Sequence, residues 1–155
     1  MKEILFRGKT ARKGEWIEGY YCPCVLGGFP ADACIISKER LDNGCWTPDR
    51  IIPESIGRFT GLFDKYQKKI FEGDRVKVTY IEKRKYQGVS YDDEHCLTEE
   101  VFYSEENACF MLKVMCDDIP MYRPLHNFES LAKIKEIEVI GNIYDNPELL
   151  EVENA

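Results

Sequence analysis

Residues 56–78, IGRFTGLFDKYQKKIFEGDRVKV, decide the fold. Arg58-Phe59-Thr60-Gly61-Leu62 reads as a strand, residues 64–69 as a polar turn and Ile70-Phe71 as an apolar pair. Gly73-Asp74 then makes a corner, and residues 75–81 alternate apolar with polar side chains as a half-buried strand does. The structural reading of Gly73-Asp74 outweighs a catalytic one: glycine turns the chain and the aspartate bonds backbone groups at the corner. The stretch is a compact β unit with no catalytic group of its own.

The pattern continues on both sides. Residues 3–9 read as a first strand and residues 15–21 as its return, joined through the Lys13-Gly14 turn, with Trp16 and Tyr20 on one face. Residues 22–30 hold two prolines and two glycines and read as loop, residues 33–37 as a short apolar strand, and Asp42-Asn43-Gly44 as a strong turn. Downstream, residues 82–87 are charged and predicted to cross the surface. Residues 89–91 are a strand fragment, and Asp92-Asp93-Glu94 an acidic loop. Residues 97–103 and 109–116 form a hairpin around Glu105-Glu106-Asn107, and residues 117–124, with Pro120 and Pro124, a break. Residues 126–134 are the best helix candidate, capped by Asn127. Residues 137–144 are a closing strand with a bulge or tight bend at Gly141-Asn142, and Asn146-Pro147 starts one helical turn. Many short strands, frequent turns and one or two short helices predict a mainly β protein of barrel or sandwich type. The 155 residues suit a single domain, or two intertwined β subdomains at about residues 1–55 and 56–150.

The net charge of −7 is unevenly placed: +1 over residues 1–60, +4 over 61–90 and −12 over 91–155. Such a split favours association with a second copy or with a basic partner. No apolar run reaches the ~18 residues of a membrane span. The charged opening residues do not read as a signal peptide, so a cytoplasmic location is expected. In that compartment the seven cysteines are expected as reduced thiols, mostly in or near the core.

Candidate chemistry is sparse. Cys22-Pro23-Cys24 could supply two thiolates, with His95-Cys96 and Cys34 or Cys45 completing a metal site. The single intervening residue departs from zinc spacing, so loop or core thiols are the expectation. His95 follows three acidic residues and reads as a solvated loop histidine ahead of a general base. His126 reads as a capping or packing residue. There is no phosphate loop, no His-Glu-x-x-His and no nucleophile elbow, so no catalytic, cofactor or metal residue is assigned. Lys83, Arg84, Lys85 and Tyr86, with Lys65, Lys68 and Lys69, form a candidate nucleic-acid patch. An overall pI near 5.0 weighs against an autonomous nucleic-acid binder.

Three groups of residues carry a family likeness. They are Ile4-Leu5-Phe6-Arg7-Gly8-Lys9 with Gly14-Glu15-Trp16-Ile17-Glu18-Gly19-Tyr20; the central IGRFTGLFDK and KIFEGDRV segments of residues 56–65 and 69–76; and EVIGNIYDNPELL of residues 138–150. Together, in this order, the chain resembles the YopX-like proteins of phages and prophages. Residues 22–47 and 92–106 fall outside that pattern. The resemblance implies an intracellular protein of a mobile element and a mostly β fold with a small SH3-like barrel. It supplies no activity and no site. The expected function is therefore a non-enzymatic accessory protein acting through protein contacts or self-assembly, without a cofactor and away from membranes. The alternative is a nucleic-acid-associated module using residues 65–86.

Overall fold

The computed structural model describes residues 4–23, 33–116, 119–125 and 132–150. Antiparallel strands dominate it, and the chain divides at Gly61 into two units. The mainly β expectation holds, but among the described residues the strands form two open antiparallel sheets and not a closed barrel.

The first unit starts with the predicted hairpin of β1 (Phe6–Lys9) and β2 (Trp16–Tyr21), paired from Phe6 opposite Gly19 to Lys9 opposite Trp16. Strand β3 (Cys34–Ser37), β4 (Asp49–Arg50) and β5 (Gly57–Phe63) follow. Within this unit the sheet order is β4-β3-β2-β1-β5, and β6 (Lys69–Phe71) opens the second unit. Ala33, Ile35 and Ile51 are buried, and Phe6, Ile17 and Ile56 pack on them. Helix α1 (Lys38–Asp42) escapes the sequence reading. Residues KERLD are good helix formers, and the Ser37 Oγ accepts the Arg40 N–H at 3.3 Å as an N-cap. Five residues are too few to leave a periodic trace.

The second unit is built on a long hairpin. Strand β7 (Asp74–Tyr86) pairs with β8 (Val89–Ser104) from Arg75 opposite Glu100 to Tyr86 opposite Val89. Strands β9 (Cys109–Cys116), β10 (Ile119–Pro124) and β11 (Ala132–Asn142) complete the order β10-β9-β8-β7-β11. Three expectations are corrected here. The charged residues 82–87, the fragment 89–91 and the acidic loop 92–94 belong to one continuous ribbon, turned by Gln87 and Gly88, which both have positive φ (49° and 82°). Such a two-residue turn matches the natural twist of a hairpin. The expected break is partly strand β10. There the Leu125 N–H bonds Phe110, so by strand alternation the positions of Pro120 and Pro124 face the open edge, where a missing N–H costs no ladder bond. The predicted helix fails at residues 132–134, which start β11; residues 126–131 lie outside the described residues. The closing strand carries register shifts at Ile134/Glu136 and Val139/Gly141, the second at the bend expected near Gly141.

Core packing follows the alternation. Val76, Val78 and Tyr80 of β7 are buried with Ile70, Val101, Leu112 and Leu125, and Leu62, Leu97, Ile134, Ile137 and Val139 pack against them. At the predicted corner Gly73 has φ 84°, and buried Asp74 accepts the Phe71 N–H at 2.8 Å. The turn of residues 64–68 is fastened to the edge of β11. Asp64, 3% exposed, accepts the N–H groups of Tyr66 (2.8 Å), Lys68 (2.9 Å) and, with its other oxygen, Val139 (3.1 Å). The Lys65 N–H bonds the Ile137 carbonyl beside it. Asp64 thereby joins the central segment to the C-terminal one.

Candidate interaction surface

Strand alternation places Val76, Val78 and Tyr80 of β7, with Leu97, Glu99 and Val101 of β8, on one face of the hairpin. Along the same face toward the turn come Glu82, Arg84 and Tyr86 from β7, paired with Asp93, Tyr91 and Val89 from β8. The inner residues form the core. The outer apolar ones are bare: Tyr86 and Val89 are 67% exposed and Tyr91 is 47% exposed. The neighbouring strands explain this. Pairing with β11 starts at Glu82, and Cys116, the last residue of β9, follows a register that begins at Glu100 opposite Lys113. Beyond those points, among the described residues, the hairpin is a two-stranded ribbon with two open edges.

A polar cluster marks the border between the halves. Arg84 donates to Glu82 at 3.0 Å and lies 3.1 Å from Asp93. His95 Nε2 lies 3.2 Å from Asp93, 3.6 Å from Glu82 and 3.5 Å from Arg84. Hydrogen bonding to Glu82 and the charge of Asp93 raise the Arg84 pKa. His95 is a strand residue opposite Tyr80, not the expected loop histidine. Just inside, the Tyr80 hydroxyl donates to the fully buried Glu99 at 2.8 Å, and Arg123 stacks 4.7 Å from the Tyr80 ring. Burial, reinforced by the charge of Glu99, pushes the Tyr80 pKa up and keeps it a donor.

The ribbon segregates charge by strand. Lys83, Arg84 and Lys85 are on β7, and Asp92, Asp93 and Glu94 on β8. On the face away from the aromatic residues Lys83 stands opposite Asp92 and Lys85 opposite Ser90, all four exposed. Glu94 meets Lys135 at 2.7 Å.

The residues of the expected basic patch lie on different elements. Lys83, Arg84, Lys85 and Tyr86 share β7 of the ribbon, where Asp92 stands opposite Lys83 and Asp93 lies 3.1 Å from Arg84. Lys65, Lys68 and Lys69 surround the turn at Asp64. Lys65 lies 2.6 Å from Glu138 and 3.5 Å from Glu136, and the hydrogen bond to Glu138 raises its pKa. Tyr66 is bare on that turn, beneath the Lys65 ammonium at 5.1 Å.

Cysteine placement departs from expectation. Of the described free thiols only Cys34 is buried; Cys22 and Cys109 are half-buried, and Cys45 and Cys96 are exposed. Cys24 and His126 lie outside the described residues. Among the described residues no three His, Cys, Asp or Glu side chains form a metal-binding group. The first unit carries an open groove of about 750 Å³, lined by α1 and the β1–β2 hairpin, with four basic and four acidic side chains in balance. Cys45 on its rim is held at a lowered pKa by hydrogen bonds to the backbone and side chain of Thr47.

The ribbon surface was half legible beforehand. Its basic residues stood out, but the apolar triad did not, because Tyr86, Val89 and Tyr91 lie on two strands and meet only through the register. No described helix is long and apolar enough to cross a membrane. The sequence model of the YopX protein family matches residues 5–151, and the chain belongs to that family. No curated protein matches it.

Proposed function

We propose that this YopX family member is a cytoplasmic accessory protein of a phage or prophage that binds protein instead of transforming a substrate, and that it self-associates through the outer half of its long hairpin. One observation carries this reading. The face that buries Val76, Val78 and Tyr80 continues as bare Tyr86, Val89 and Tyr91. Clustered exposed apolar side chains mark contact sites, and tyrosine is enriched in the parts of interfaces that carry the energy. The charge division between β7 and β8 adds a means of selecting the partner. Sedimentation velocity on wild type and on Tyr86→Ser/Tyr91→Ser tests it. The wild type is expected to associate and the variant to run as a monomer with an unchanged melting temperature. A wild type that stays monomeric at high concentration overturns self-association.

A second reading has its own support. A two-stranded ribbon fits the major groove, and Lys83, Arg84, Lys85 and Tyr86 lie on one of its strands. Asp92 and Asp93 on the other strand would repel phosphate. Gel shifts at low salt decide: absence of binding to DNA or RNA at tens of micromolar ends this reading, since nonspecific affinities lie at roughly 10⁻⁴–10⁻⁶ M.

A further inference from the structure

We infer that Cys22 and Cys34 are a redox pair, closed to a disulfide by oxidised glutathione and reopened by reduced glutathione. Both lie in the first unit, so the pair stands whether or not the ribbon self-associates. Two observations define it. Strands β2 and β3 pair Gly19 with Ser37, Tyr20 with Ile36 and Tyr21 with Ile35. The next step of that register sets Cys22 opposite Cys34, and the Cys22 N–H donates to the Cys34 carbonyl at 2.9 Å. Directly opposite residues of a ladder share one face. A hydrogen-bonded pair of this kind stands about 5.5 Å apart at Cα, inside the range of about 4.4–6.8 Å that a disulfide spans. Both residues carry thiols. The second observation is their unequal access: Cys22 is half-buried and Cys34 fully buried.

Register selects this pair and access sets the order of reaction. The other strand cysteines stand opposite different residues, Cys96 with Thr79, Cys109 with Ser104 and Cys116 with Ile119. The Cys22 thiolate attacks one sulfur of glutathione disulfide, forms a mixed disulfide and releases one glutathione. The Cys34 thiolate then attacks the Cys22 sulfur, and the second glutathione leaves. Two protein thiols are oxidised to one disulfide, and one glutathione disulfide is reduced to two thiols. The protons of Cys22 and Cys34 pass to the released glutathiones. Exchange through a mixed disulfide runs in either direction, so reduced glutathione reverses it. The bond ties β2 to β3 just beyond Tyr21 and closes residues 23–33 into a ring. It restricts the unfolded chain and so stabilises the first unit. In a reducing compartment such a bond is transient and redox-sensing, which makes the pair a switch.

Mass spectrometry of the full-length chain tests the pairing. The protein is equilibrated with oxidised glutathione, alkylated and digested without reduction, with cleavage at Asp32 separating Cys22 from Cys34. The expected product is a crosslink between the two peptides, lighter by two hydrogen atoms and lost on adding excess reduced glutathione. Cys24→Ser is expected to keep the crosslink and Cys22→Ser to lose it. Oxidised wild type should melt at least about 3 °C above the reduced protein, and Cys22→Ser at the same temperature in both states. A crosslink that persists in Cys22→Ser but is lost in Cys24→Ser overturns the pairing. So does glutathione held on Cys22 while Cys34 is still alkylated after unfolding. A crosslink that excess reduced glutathione does not open overturns the switch, and a crosslinked protein that melts no higher than the reduced one overturns the tie between β2 and β3. Should Cys22→Ser melt early, the crosslink map of Cys24→Ser decides alone, since only Cys22 then remains on the first peptide to join Cys34.

Discussion

The inner and outer halves of the β7–β8 hairpin share one backbone, one register and one alternation, yet Val78 is fully buried and Tyr86 is 67% exposed. The inner half has strands on both flanks, with β11 along β7 and β9 along β8. The outer half has neither among the described residues. Alternation decides which side chains share a face, and neighbours decide whether its apolar members are buried. In the inner half apolar burial drives folding; in the outer half Tyr86, Val89 and Tyr91 stay exposed.

The difference can be broken most severely at Asp64, which ties the 64–68 turn to the β11 edge flanking the inner half. Asp64→Ala strands three backbone N–H groups, those of Tyr66, Lys68 and Val139. It is expected to lower stability by about 3 kcal/mol, read from chemical denaturation midpoints. Next comes the core face itself: Val78→Ala should lose about 2 kcal/mol through lost burial and a residual cavity. A smaller effect follows from acid. Burial alone would raise the Asp64 pKa, but hydrogen bonds from Val139, Lys68 and Tyr66 outweigh it and hold it below the usual value. A folded pKa below the unfolded one stabilises the protein above the unfolded value of about 4, and that contribution is lost as pH falls through the folded value. Melting temperatures from pH 7 down to pH 3 should therefore fall less steeply in Asp64→Asn than in wild type. The smallest effect is reserved for the outer half, where Tyr86→Ser or Tyr91→Ser should change monomer stability by less than about 0.5 kcal/mol. A loss near that of Val78→Ala would mean the outer face is packed, and would erase the distinction.

Legibility varied with the range of the interactions. Local devices were readable: the Gly73-Asp74 corner, the β1–β2 hairpin, and the bend near Gly141. Each depends on residues within a few positions of one another. Asp64 was not read as a fastener, although an aspartate before a polar turn is a turn signal. Its decisive partner, Val139, is 75 residues away. The ribbon was misread for a related reason. Charged residues 82–85 and 92–94 lack a strand's apolar alternation, but opposite charges across the ladder, such as Lys83 and Asp92, are compatible with pairing. Proline at 120 and 124 signalled a break, whereas an edge tolerates both where the missing N–H faces outward.

The amino-acid sequence by itself determined a mainly β protein, its family membership through three ordered segments, and the corners where the chain turns. These follow from glycine, proline and aspartate conformations and from period-two alternation, all local in the chain. Only the tertiary structure decided that, among the described residues, the hairpin outruns its sheet, that Tyr86, Val89 and Tyr91 share a bare face, and that basic residues 83–85 and acidic residues 92–94 lie on facing strands. Those outcomes depend on where β9 and β11 stop alongside β7 and β8, and no residue in the ribbon encodes where its neighbours end.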